Sequence, residues 1–246
     1  MEPIFVAHIV DLAAASPTEV AGRHALGALD GLLDEGLLLM LAARVDVCDP
    51  ETGDGDICVG ALLRLLSVDA LARRFVLEVG LTRVIGWLES TIEARVRTGV
   101  HVVSWLVWHR NRSLRVQLVE AGVVPLLVAR LHADLEAVDA LARLAASPET
   151  LASLEAVGVF DALAEHLPRW VTDVTCLHAL GPSLVQFEVR RGLVAAGWPA
   201  VLRGLLRHEG ACRVLACLLP AMDTAERVRT LHDLAEWEFL RFARFC

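Results

Sequence analysis

Val116-Gln117-Leu118-Val119-Glu120-Ala121-Gly122-Val123-Val124-Pro125-Leu126-Leu127 is the stretch that decides the fold. Ahead of Gly122 runs a short helix-like segment. Behind it, Val123, Leu126, Leu127 and Leu131 fall at i, i+3, i+4 and i+8, a single apolar stripe of a second helix. Glycine ends a helix in the left-handed backbone without a Cβ clash. Pro125 stands in the first turn of the second helix, where a missing N–H costs nothing. A third helix is predicted over 135–145, with Leu135, Val138, Leu141, Ala142, Leu144 and Ala145 apolar on more than one side. A helix packed by neighbours on both flanks has that pattern.

The unit recurs along the chain. Leu33-Asp34-Glu35-Gly36-Leu37, Leu77-Glu78-Val79-Gly80-Leu81, Leu154-Glu155-Ala156-Val157-Gly158-Val159 and Val194-Ala195-Ala196-Gly197-Trp198 share its form. Each has an apolar residue three or four positions before a glycine, then an amphipathic run. The five glycines lie 44, 42, 36 and 39 residues apart, near the ~40–47-residue period of helical repeat arrays. Ser16-Pro17-Thr18-Glu19 and Asp223-Thr224-Ala225-Glu226 have the capping-box form, and Ser147-Pro148 reads as a cap with proline at the first helical position. Strand signals are poor, because no Asn-Gly or Asp-Gly hairpin separates period-two runs. The expected class is all-α.

The segment 116–127 resembles the helix-1/helix-2 junction of an armadillo repeat, and Ala140-Leu141-Ala142-Arg143-Leu144-Ala145 resembles the third helix that follows. Weaker copies cover roughly residues 30–220, and HEAT repeats are similar at this level. The resemblance implies a right-handed α-solenoid of about five three-helix repeats, with third helices lining a concave groove that holds extended peptides or other proteins. The expected organisation is a single repeat domain over 1–246. It comprises an N-terminal helical cap (1–30), repeats (31–221) with an acidic loop at 46–56, and a C-terminal capping helix or helices (222–246).

Armadillo proteins of the importin-α kind grip a peptide backbone with a Trp and an Asn four apart on the third helix. The corresponding Asn positions fall near Arg64, Val107, Arg143 and Ala179, and the Trp positions near Gly60, Val103, Asp139 and Thr175. None matches. Shifting the register to put Trp105 in the Trp slot places His109 in the other, and the chain has one asparagine, Asn111. Recognition of basic import peptides by an asparagine ladder is therefore not expected.

Composition narrows the function classes. The 246 residues carry 31 Asp and Glu against 23 Arg and no Lys, a formal charge of −8, which argues against a dedicated nucleic-acid binder. The densest basic stretch, His109-Arg110-Asn111-Arg112 with Arg115, reads as a solvated turn. Lys and Tyr are absent, and Asn and Ile are scarce. All four use AT-rich codons, so a GC-rich genome explains the depletion better than selection against lysine modification. No apolar run nears the ~18–20 residues that span a bilayer, and the N-terminus has no secretory n-region. An intracellular, cytoplasmic setting is expected.

Catalytic and metal signatures are weak. Cys48 and Cys58 flank an acidic segment but have nine residues between them, too many for a Cys-x₂₋₄-Cys zinc pair. The segment also lacks the alternate Asp and closing Glu of a calcium loop. The six Cys make no disulfide framework, and Cys212 and Cys217 read as core packing. No phosphate loop, nucleophile elbow or dinucleotide fingerprint occurs. No cofactor and no metal are expected.

The candidates for partner binding, placed by repeat register, are Arg64, His101, Trp105, Trp108, Asp139, Arg143 and His178. Trp105 and Trp108 share a helix face and are either inter-repeat core or aromatic anchors, since Trp and Arg dominate interface hot spots. Asp139 and Arg143, at i and i+4, are expected to pair. The aromatic-rich segment 234–245 is expected to cap the array or, if exposed, to mediate self-association. The expected function is a non-enzymatic scaffold binding a protein or peptide. The alternatives are a HEAT-like enzyme or enzyme subunit with a His/carboxylate site in the groove, or a structural subunit of a larger assembly.

Overall fold

A computed structural model describes residues 3–25, 27–47, 53–109, 111–170, 187–206 and 209–243, with the side chains of 9–25, 27–47, 56–109, 111–166, 189–206 and 211–236. All regular structure among them is helical. Two N-terminal helices, α1 (Pro3–Ala14) and α2 (Pro17–Ala25), precede the repeats. The first repeat is α3 (Asp30–Asp34), α4 (Leu37–Val47) and α5 (Gly53–Leu66); the second is α6 (Asp69–Glu78), α7 (Leu81–Leu88) and α8 (Glu93–Trp108). The third is α9 (Arg112–Glu120), α10 (Val123–Arg130) and α11 (Leu135–Ala145). Then come α12 (Pro148–Ala156) and α13 (Val159–Trp170), followed by α14 (Phe187–Ala195), α15 (Trp198–Arg203) and α16 (Glu209–Leu218). A 3₁₀ turn (Leu219–Ala221) leads into α17 (Thr224–Ala243).

The five expected glycines all stand at helix-1/helix-2 junctions with positive φ, between 73° at Gly158 and 84° at Gly36 and Gly122. Gly27, with φ 70°, adds a sixth that the repeat spacing does not foresee. At Gly122 an added Cβ would meet no atom within 4 Å, so the requirement there is one of backbone conformation and not of space. Gly99 shows the opposite case. A Cβ on it would come within 3.3 Å of the Leu88 backbone nitrogen, so its bareness lets α7 lie close against α8.

By its contacts the chain divides into two compact units, Met1–Leu126 and Leu127–Cys246, with the division inside α10. In the first, α1 packs on α5, α4 on α5, α5 on α8 and α7 on α8. Its core is made of side chains that the helix stripes supply, including Leu41, Leu62, Leu65, Phe75 and Leu106, all below 2% exposed. In the second, α11 packs on α12 and α13, α13 on α14 and α15, and α15 on α16 and α17, around Leu141, Leu144, Trp198 and Leu215. Full burial of one such aliphatic side chain stabilises by about 1.5–3 kcal/mol.

Polar cross-links join consecutive repeats at close to one repeat length. Arg74 donates to the Leu33 carbonyl (2.9 Å, 41 residues apart) and Trp87 Nε1 to Asp46 (2.6 Å, 41 apart). His109 Nε2 meets the Leu66 carbonyl at 2.6 Å, 43 residues away, and Trp198 Nε1 donates to the Phe160 carbonyl at 3.3 Å, 38 away.

Several expectations are corrected. The loop predicted at 46–56 is shorter: Asp46 and Val47 belong to α4, and Gly53 opens α5, leaving 48–52 outside the described residues. The basic stretch at 109–115 is a tied junction and not a solvated turn. His109 is held by Leu66, Asn111 Oδ1 caps α9 by accepting from Leu114 N (3.2 Å), and Arg115 donates to the Val107 carbonyl (3.0 Å). Cys58 and Cys212 are buried as expected, but Cys217 is exposed. Five residues advance a helix by about 500°, so one of two such thiols must turn outward. Cys48, Cys176 and Cys246 lie outside the described residues.

Of the caps, Ser16 and Glu19 form the reciprocal box, and Asp223 accepts from Glu226 N at 2.8 Å. Ser147 occupies the cap position of α12, but its hydroxyl donates to Glu149 instead. No helix among the described residues is long and apolar enough to cross a membrane.

Candidate functional site

In the first unit the third helices α5 and α8 pack against each other, and α8 leaves one stripe uncovered. On α8 the buried side is continuous: Val96, Val100, Val103, Leu106 and Val107 are all at most 5% exposed. The opposite side carries Glu93, Arg97, His101, Ser104, Trp105 and Trp108, steps of three and four that define one face. On α5 the corresponding positions are Asp56, Gly60 and Arg64, of which Gly60 is covered by α1: a Cβ there would lie 3.5 Å from the Ala13 Cβ.

Three of the register-placed candidates therefore share the open face of α8, and a fourth, Arg64, lies on α5. His101, Trp105 and Arg64 are half-buried, and Trp108 is 52% exposed. The indoles of Trp105 and Trp108 lie 5.9 Å apart at 47°, a tilted aromatic pair. A half-exposed indole pair beside an imidazole offers an apolar and π-rich surface to a side chain laid across it.

The repeat spacing points to the wrong slots in α8. It selects Val103 and Val107, which are buried, while the open face passes through Trp105 and Trp108. The helix runs on to Trp108, three residues before the Asn111 cap, whereas α5 stops at Leu66, two before the Val68 cap. His109, the partner slot in the shifted register, has left the helix and is tied to Leu66.

In the second unit the open stripe of α11 runs through Glu136, Asp139, Arg143 and Ala146. Asp139 and Arg143 form the expected i,i+4 pair. Arg143 Nε donates at 2.8 Å to both carboxylate oxygens, with the side chains only 17% and 14% exposed. Asp139 and Arg143 neutralise each other, and Glu136 leaves the stripe with one net negative charge. His178 lies outside the described residues, as do the side chains of the aromatic segment from Trp237 onward.

The Ser16 backbone N–H, then its hydroxyl, holds the Glu19 carboxyl below its ordinary value. Bonds to Glu78 and then Asp34 raise Arg74. Both serve helix starts and repeat junctions. Asp46 likewise bridges Trp87 Nε1 and Arg83 (3.0 Å). The recurring offset of about 41 residues between such partners is the signal by which sequence could have found them.

Among the described residues one trio of metal-ligand types gathers, His232, Asp233 and Glu236, with ligand atoms within 4.8 Å of one another. It sits on one helix, His232 and Glu236 are exposed, and Asp233 already lies 3.7 Å from Arg203 Nε.

No protein-family signature and no curated protein sequence matches this chain. Solved structures do. The chain is similar to a designed armadillo repeat protein in complex with the peptide (KR)4, with 18% identity and a TM-score of 0.67 over 89% of this chain and 91% of that one. It is similar to computationally designed armadillo repeat proteins for modular peptide recognition, with 18% identity and a TM-score of 0.64 over 89% and 92%. A further engineered protein matches at 19% identity and a TM-score of 0.65, over 93% of this chain and 56% of that one. The fold is thus that of an all-α, divergent armadillo-like repeat solenoid.

Proposed function

We propose that this armadillo-like chain is a non-enzymatic scaffold that binds a protein or an extended peptide across the open faces of its third helices. One observation carries the reading: α8 spends its uncovered face on Trp105 and Trp108, with Trp108 half in water, while every Val and Leu behind them is buried. The tilted ring pair itself contributes only about 0.5–1.5 kcal/mol to folding, whereas Trp is among the residues that dominate interface hot spots. The designed neighbours that recognise peptides support the class of ligand. A formal charge of −8 favours protein over nucleic acid, and buried free thiols at Cys58 and Cys212 suit the reducing interior of a cell. In the first unit the contact would be made with Trp105 and Trp108 as anchors and with His101 on the same face of α8 and Arg64 on α5; in the second, Asp139 and Arg143 would offer a polar rung of their own.

Selection of ligands from a random-peptide library, followed by affinity measurement, tests it. Trp108→Ala and Trp105→Ala are expected to weaken a selected peptide by roughly tenfold or more, the range of an interface anchor. Trp108→Ala is expected to cost only about 1 kcal/mol of stability, the scale of the lost ring pair. Failure to select any ligand, or ligands indifferent to both substitutions, would move the site elsewhere.

A further inference from the structure

Trp105 and Trp108 stand in the last turn of α8, the part of a helix that opens most readily. The carbonyls of that turn have no N–H to accept from within the helix. An anchor on a fraying turn must be ordered each time a ligand binds, and that ordering subtracts from affinity. Here the turn is held. Arg115, from α9, donates through Nη2 to the Val107 carbonyl at 3.0 Å. The chain leaves the helix at His109, with ψ 140°, and the imidazole turns back onto α5.

A carbonyl only accepts, so His109 Nε2 carries a proton and donates to the Leu66 oxygen at 2.6 Å. Leu66 is the final residue of α5, and its carbonyl is an orphan of that helix in turn. On the other side of the ring, Nδ1 lies 4.0 Å from Asp69 in the first turn of α6, and the side chain is only 9% exposed. One short junction thus closes the ends of both third helices of the first unit.

Shorter ties serve the ends of α5 and α11. The Ser67 hydroxyl donates to the Arg64 carbonyl, three residues back, at 2.6 Å, and Thr150 Oγ1 donates to the Leu144 carbonyl, six back. The end that carries the indole pair is instead gripped from α9 and moored to α5. A binding constellation works when its rotamers are held within about 0.5 Å by such supporting bonds. We infer that His109 and Arg115 are positioning residues of the peptide site: they fix the last turn of α8, so that Trp105 and Trp108 meet a ligand already in their bound arrangement. The inference rests on the peptide-binding reading and adds what makes its anchors rigid.

Fluorine NMR on the full chain labelled with 5-fluorotryptophan tests the clamp without a ligand, each resonance being assigned by Trp→Phe substitution. His109→Phe and Arg115→Met remove the donors, whereas His109→Gln and Arg115→Lys keep one. The first two are expected to shift and narrow the Trp105 and Trp108 resonances, as indoles gaining freedom do. Trp87 and Trp198, at most 2% exposed, are expected to stay in place, and the donor-keeping variants to hold the wild-type spectrum. For a selected peptide that depends on Trp108, His109→Phe and Arg115→Met are expected to weaken binding roughly fivefold or more, and to add nothing once Trp108 is replaced by Ala. Resonances of Trp105 and Trp108 that ignore both donor-removing variants would overturn the inference. So would changes spread equally over Trp87 and Trp198, the mark of a generally loosened fold, or an equal loss of affinity in the Trp108→Ala background. Fluorine spectra as expected, with no peptide sensitive to Trp108→Ala, would fell the peptide-binding reading and this role with it, the clamp itself having been measured.

Discussion

Helices α8 and α11 occupy the same place in their repeats and are built alike from behind. Val100, Val103, Leu106 and Val107 in one, and Ala140, Leu141 and Leu144 in the other, are wholly buried. Their open faces differ. α11 closes its charges on itself through a two-pronged Asp139–Arg143 pair. α8 leaves an indole pair and Arg97 facing outward. Burial dictates the back of a third helix, whereas the front is free to carry whatever the surface must do. The repeat is therefore a constraint on half of each helix.

The likeness of the backs is the part most strongly breakable. Leu106→Ala and Leu141→Ala each delete a fully buried side chain and are expected to destabilise by about 2–5 kcal/mol in denaturant titration. A much smaller loss in α8 than in α11 would show that the two are not seated equivalently. Next come the turns at the head of each repeat's second helix. Gly80→Ala and Gly122→Ala force a Cβ into positive φ with open space around it, expected to cost about 1–2 kcal/mol each. A stabilising result at either would mean that the turn adjusts its backbone. The fronts give the smallest effect and the sharpest contrast. Asp139→Asn is expected to cost about 1 kcal/mol, falling as salt is raised, because it strips a part-buried pair. Arg97→Gln, on an exposed stretch of α8, is expected to stay within about 0.5 kcal/mol at any ionic strength.

Much of this is legible in the chain itself. Positive φ demands glycine, so the junctions announced themselves in letters, and the 3.6-residue period separated the stripes. Asp139 with Arg143 followed from spacing alone. What escaped the reading depended on the phase of one helix or on partners a whole repeat away. The outward slots of α8 fall at Trp105 and Trp108, whereas the Val103 and Val107 that repeat spacing selects are buried. His109 sat among arginines and so read as solvated, although its partner is the Leu66 carbonyl. The inner side of α17 was illegible because Glu226 and Asp233 look like surface residues until Arg203 of α15 is seen 3.7 Å from each.

The bonds from Arg74, Trp87, His109 and Trp198 each reach back a single repeat and stop there. A chain wired in this way has a modular grammar. Duplicating or excising one three-helix brick re-forms the same kind of joint with the next brick along, and leaves joints farther off undisturbed. Length is therefore the property that such a molecule can most easily change over evolutionary time, and the one an engineer could most readily set.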